Sequence, residues 1–168
     1  MKKQFKLTAE MVPPSTWWEN LRRYLYSGIW DALRKSTYAK YDHCCGICNA
    51  KGKLHCHEIW KYDDINHIQK LIGLIALCEN CHQLKHLYHT SLKVREGKIN
   101  LDKLIDHFTK VNNCSIDDFR EYEREVWTEF DERSKYEWIV DYGEFQKLID
   151  QSTLNYQLPL FPPEDWNI

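Results

Sequence analysis

The sequence predicts an α+β fold: a small centre with β character, helices before it, and a helical, acidic extension after it. Three observations carry that reading. Two Cys-x-x-Cys pairs, Cys45/Cys48 and Cys78/Cys81, bracket a stretch rich in turn residues and strand formers. Apolar residues recur at helical spacing on both sides of that stretch. The formal charge, −2 overall, is unevenly spread, at +2 over residues 1–33, +5 over 34–110 and −9 over 111–168. Three segments follow: an N-terminal helical segment over 1–42, the centre over 43–95 and the extension over 96–168.

The chain has 168 residues, 43% hydrophobic and 29% charged, which excludes wholesale disorder and suffices for a core without disulfides. No apolar run approaches the roughly 18 residues of a transmembrane helix. The basic start, Met1 to Lys6, lacks the apolar region of a secretory signal. A cytoplasmic protein without a membrane partner is expected.

Pro13-Pro14 closes a leader, and Thr16-Trp17-Trp18-Glu19 reads as a capping box opening a helix through about Tyr26. Ser27-Gly28 interrupts it. Trp30, Leu33, Thr37 and Tyr41 then predict a helix from about Ile29 to Tyr41. Lys53 to Trp60 is β-like, while Leu71 to Leu77 is an apolar run that fits a strand or a buried helix. Asn80 is placed to cap a helix carrying Cys81, His82, Lys85, His86 and His89. Leu101, Leu104, Ile105, Phe108 and Val111 make a helical stripe. Ser115 with Asp118 caps a further helix with Phe119, Tyr122, Val126 and Phe130 on its apolar face. Trp138-Ile139-Val140 suits a short strand, and Pro159, Pro162 and Pro163 mark a loosely ordered tail.

Seven cysteines is an odd number, and Cys44, Cys56 and Cys114 stand outside the paired spacing. In a reducing compartment the two pairs read as metal ligands rather than disulfides. Four thiolates from two tight knuckles suit tetrahedral zinc, and a closed all-thiolate set is structural. Asn49, just past the first knuckle, is expected in a left-handed conformation. Histidine supplies a second constellation. His82 and His86, four residues apart, share one helix face, and His57 sits on the β-like segment between the knuckles. Three imidazoles with open coordination positions describe a reactive metal site rather than a structural one.

The stretch Cys45-Gly-Ile-Cys48, Leu54-His55-Cys56-His57-Glu58-Ile59 and Leu74 through Cys78-Glu79-Asn80-Cys81-His82 to His86 resembles an HNH endonuclease of the zinc-knuckle type. More loosely, Cys56 to Trp60, Leu74 to His86 and the region of Val111-Asn112 resemble short bacterial HNH proteins over most of the chain. The resemblance implies a ββα-metal centre, two strands and a helix around one divalent ion, and cleavage of DNA, with RNA as the alternative. It makes His57, His82 and His86 the ligands of a catalytic cation: Mg2+, Mn2+, Ni2+ or Zn2+. At the family's general-base histidine stands Glu58, and at its central Asn stands Gly73. A register one residue earlier would make Cys56 the first position and His57 the base.

Glu58 is the first candidate for the base and His55 the second. On an ideal strand His55 and His57 share a face and Glu58 points away, unless the strand ends at His57. Glu58 also suits a partner that orients a ligand histidine. Lys53, Lys61 and Lys85, among other lysines of the centre, are candidate phosphate contacts. Trp60 and Tyr62 could stack on a base or simply pack. The alternatives to a nuclease are a non-catalytic zinc module for nucleic acid or protein, and an interaction element whose acidic C-terminal helices hold a basic partner.

Overall fold

The computed structural model describes residues 3–155, with side chains to 153; the proline tail read from the sequence lies outside the described residues. Among them are seven α-helices and one three-stranded sheet. In chain order these are α1 (Leu21–Tyr24), α2 (Ser27–Lys40), β1 (Leu54–Asp63), β2 (Ile68–Cys78), α3 (Glu79–Lys85), α4 (Leu87–Arg95), α5 (Leu101–Asn112), α6 (Ile116–Arg133), β3 (Ile139–Asp141) and α7 (Gln146–Asn155). β1 and β2 form an antiparallel hairpin, and β3 adds in parallel to the far side of β2. β1 is therefore an edge strand. The ambiguous run at 71–77 belongs to β2; Leu74 packs on one face and Ile75 and Leu77 on the other, while Ile72 stays 55% exposed at the register shift.

The hairpin turns because the Asp63 carboxylate accepts the N–H groups of Ile65 and Asn66, with His67 in the left-handed region. A register shift between Ile59 and Trp60 interrupts the ladder. On one sheet face, Ile75 and Leu77 join Cys45, Cys81, Leu84, Phe108 and Phe119 in a cluster. On the other, Leu74, Trp60 and Cys56 meet Leu21, Leu25 and Ile149. A third cluster, Met11, Leu87, Val126 and Phe130, joins the N-terminal segment to α4 and α6. Phe108 is 1% exposed, and truncating such a ring costs about 3–5 kcal/mol.

The capping box Ser115–Asp118 stands as the sequence reading has it, the C-terminal strand lies one residue later than expected, and the helix expected from about Ile29 to Tyr41 takes in Ser27-Gly28 and ends at Lys40. Three expectations are corrected. Thr16 does not cap a helix. It closes a 3-10 turn at Pro14–Thr16, and its hydroxyl donates to Gln69 Oε1 at 2.6 Å, while Asn20 caps the four-residue α1. Asn80 lies inside α3, whose N-cap position is taken by Cys78. The expected single helix through His89 is two, α3 and α4, broken at His86 (φ −93°, ψ 52°), where buried Thr90 donates its hydroxyl to Gln83 O. The 3-10 turn at Gly143–Phe145 and α7 have no counterpart in the sequence reading. No helix among the described residues is long and apolar enough to cross a membrane.

Candidate metal centres

The cysteine knuckle is built locally. Cys45 N–H donates to Ala50 O and Asn49 N–H to Cys45 O, with Asn49 at φ 62° as its position requires. Gly46 N–H ties the knuckle to β2 through Ala76 O. A Cβ at Gly46 would stand 2.6 Å from the Tyr41 ring and 2.9 Å from Ile75, so only glycine lets the knuckle approach the sheet this closely. The second pair spans the β2–α3 junction. The four sulfurs lie within 4.8 Å of one another, Cys48 and Cys78 at 3.5 Å. Tetrahedral zinc with bonds of about 2.3 Å separates its sulfurs by about 3.8 Å, so the set can hold a metal ion such as zinc.

The protonation pattern agrees with that fit. The contact with Cys81 pulls Cys45 down to about 4 and pushes Cys81 up, while burial raises Cys78 to about 11. Four crowded sulfurs share too few negative charges until a divalent cation stabilises every thiolate. His107, on α5, brings Nε2 to 3.1 Å from Cys81 Sγ and donates to that sulfur when the thiolate forms. The sequence reading missed it, because a single histidine on an amphipathic helix carries no spacing signal.

The second cluster faces away from the first. Cys81 and His82 are neighbours on α3, about 100° apart around its axis, so the sulfur goes to the core and the imidazole to a cavity. His57 from β1, His82 from α3 and His86 at the helix break offer ligand atoms within 4.8 Å of one another. Burial lowers His82 to about 3 and His86 well below its ordinary value, aided in both by His57. Both rings are therefore neutral at pH 7, the form that binds cations.

His57, 4% exposed, bonds through Nε2 to the Glu10 carboxylate at 2.7 Å, and the other Glu10 oxygen accepts the N–H of Trp60 at the ladder irregularity. Glu10 was not foreseen; it lies 47 residues before His57. Its segment is fastened along its length. Asn112 both accepts from Leu7 N–H and donates to Leu7 O, Tyr122 OH accepts from Ala9 N–H, and Glu10 N–H donates to Lys85 O.

The candidate bases separate. β1 runs on past His57, so Glu58 does project to the opposite face, as strand alternation requires. There its Oε1 accepts the Leu21 N–H at 2.7 Å, so it starts α1 rather than orienting a ligand histidine. Because β1 is an edge strand, Glu58 and His57 still line one cavity of about 770 Å3 that wraps the strand edge. Burial raises the Glu58 carboxyl to about 7, opposed by the Leu21 N–H and helped by the Glu10 charge. His55 shares the face of His57, stacks on His82 at 4.6 Å and bonds to Glu79 at 2.8 Å. Cys56 lies on the far face, outside the histidine cluster, and Gly73 pairs with Ile59 and offers no side chain.

None of Lys53, Lys61 and Lys85 lines the cavity; Lys85 instead donates to Thr8 Oγ1. The cations on the wall are Arg22 and Arg34. Trp60 packs in a core cluster yet borders the cavity, whereas Tyr62 lies under Arg133 at 4.0 Å and against Trp138, outside the lining. Comparison of the chain with protein-family models, curated proteins and solved structures gives no match.

Proposed function

We propose that this chain is a metal-dependent endonuclease with a ββα-metal centre of HNH type, hydrolysing phosphodiester bonds in DNA. The observation behind the reading is the convergence of His57, His82 and His86, from a hairpin strand and the helix that follows it, on an open cavity. A four-sulfur site sharing the same helix supports it as the staple.

On this reading the three histidines hold one divalent cation, which would draw charge from a phosphate oxygen and from the leaving 3′ oxygen. Glu10 positions His57 by occupying Nε2, leaving Nδ1 for the cation. Glu58 is the general base: it lines the cavity, and its raised pKa suits it to take a proton from water near neutrality. His55, bound by Glu79 and flat against His82, is a positioning residue.

Incubation of supercoiled plasmid with the protein and Mn2+, Mg2+, Ni2+ or Zn2+ tests the reading. Nicking that His57→Ala abolishes is expected; no nicking with any of these ions contradicts it. Glu58→Gln should cost at least about 100-fold in kcat, and His55→Gln less than about tenfold. The second reading, a non-catalytic zinc module for nucleic acid or a protein partner, draws on Glu58 facing α1 and on Gly73 standing where the family has Asn. It requires one tightly held zinc per chain and no second ion.

A further inference from the structure

The cavity is larger, deeper and more aromatic than a cation and one phosphate require. It encloses about 770 Å3 and is walled by the segment around Trp17, by α2 through Trp30 and Tyr38, by the edge of β1 and by Tyr88 of α4. Trp17 packs against Tyr88 with ring centroids 5.0 Å apart, joining the N-terminal segment to α4. His57, 4% exposed, lies recessed behind these walls.

A duplex presents its phosphates on a convex, stiff surface, which meets a recessed ligand set only where the strands open locally, as they do in a supercoiled plasmid. A strand whose bases are unpaired can bend into a concavity and stack on rings. The polar part of the lining is consistent with that guest. Glu10, Glu19 and Glu58 are each engaged by protein donors, respectively His57 and Trp60, Tyr24 and Tyr142, and Leu21, so they do not stand free to repel a phosphate. Arg22 adds positive charge, and Arg34 is paired with Asp31, the fourth carboxylate of the lining. Gln69, fully buried at the inner wall, accepts the Thr16 hydroxyl on Oε1 and leaves Nε2 without a partner among the described residues.

We infer that the cavity receives an unpaired nucleotide of a DNA strand, its base stacked on the aromatic walls, so that single-stranded or locally opened DNA is preferred to intact duplex. The inference rests on the nuclease reading and specifies its substrate.

The test is fluorescence anisotropy of the full chain, loaded with Zn2+, with a labelled phosphorothioate oligonucleotide as a single strand and as a blunt duplex of the same sequence. The single strand is expected to bind about tenfold or more tightly. Trp17→Ala, at a ring already 41% exposed, should lower single-strand affinity about tenfold, and Trp17→Phe should restore most of it. Quenching of tryptophan fluorescence by the single strand reads the same contact without a variant. Equal or tighter duplex binding overturns the inference; the nuclease reading survives that result if plasmid is still nicked. Single-strand preference untouched by Trp17→Ala, without quenching, also overturns it. Neither binding nor nicking removes both.

Discussion

The cysteine cluster and the histidine cluster share α3 yet are assembled in opposite ways. The sulfur site takes all its donors from two short pairs, 45/48 and 78/81, and its supporting hydrogen bonds come mostly from the same knuckle and the adjoining strand, with His107 of α5 added at Cys81. Leu7, Ile47, Leu84 and Phe108 close it off. The histidine site draws its donors from one hairpin and helix, but its supports arrive from afar: Glu10 from the N-terminal segment, the walls from α2 and α4. A closed site made of local parts is suited to holding a fold together. An open one made of distant parts is suited to meeting another molecule.

The largest effect that would break this contrast concerns the sulfur site. A structural zinc contributes on the order of 10 kcal/mol in small zinc domains, comparable with the entire stability of a chain of this size. Cys81→Ser, or zinc removal by a strong chelator, should therefore abolish the cooperative thermal transition followed by near-UV circular dichroism. A transition unchanged within a few degrees would mean the sulfurs are not a staple.

His82→Ala is expected to do the reverse. Plasmid nicking should fall at least about 100-fold, while the melting temperature moves by only a few degrees, because His82 is half-buried and belongs to none of the three core clusters. Unfolding of this variant would show that the two sites do not divide the work.

Glu10→Gln sharpens the comparison further. It keeps an acceptor for the Trp60 N–H but removes the charge beside His57. Affinity for the second ion should drop about 10- to 100-fold, with the sulfur-bound zinc retained. Calorimetric titration with Ni2+ measures this; an unchanged affinity would reduce Glu10 to a structural tie.

The smallest effect concerns a surface ion pair outside both ligand sets. The ion pair with Lys3, and then the Ser115 hydrogen bonds, hold the Asp118 carboxyl down to about 2. A depressed carboxylate stabilises the fold above its unfolded value of about 3.9 and loses that contribution as pH falls toward 2. An NMR titration should give a midpoint near 2, moving upward in Lys3→Ala; a midpoint near 4 contradicts the contact.

The same contrast decides how much could be read in the residues themselves. Cysteine spacing, the i, i+4 histidines, Asn49 and the Ser115–Asp118 cap all act within a few positions, and their structural placement was legible. Of the hairpin only the first strand was legible, as a β-like run; an apolar run such as 71–77 reads equally as a strand or a buried helix. Glu10 was not, because nothing near it in the chain indicates that Asn112, Tyr122 and Lys85 hold its segment against His57. Thr16 had the right letters for a helix cap, but a partner 53 residues away, Gln69, took its hydroxyl. The break at His86 was hidden because i, i+4 spacing is the same whether or not the helix continues past it. Charge alone points to Lys53, Lys61 and Lys85, and charge does not tell which side chains border a cavity.

Metal content is the most direct measure of the central claim, that one helix serves two ions of different character. Purified protein dialysed against Zn2+ should carry two ions per chain by mass spectrometry, and His82→Ala should carry one. A single ion in the unaltered protein, or two in the variant, would contradict it.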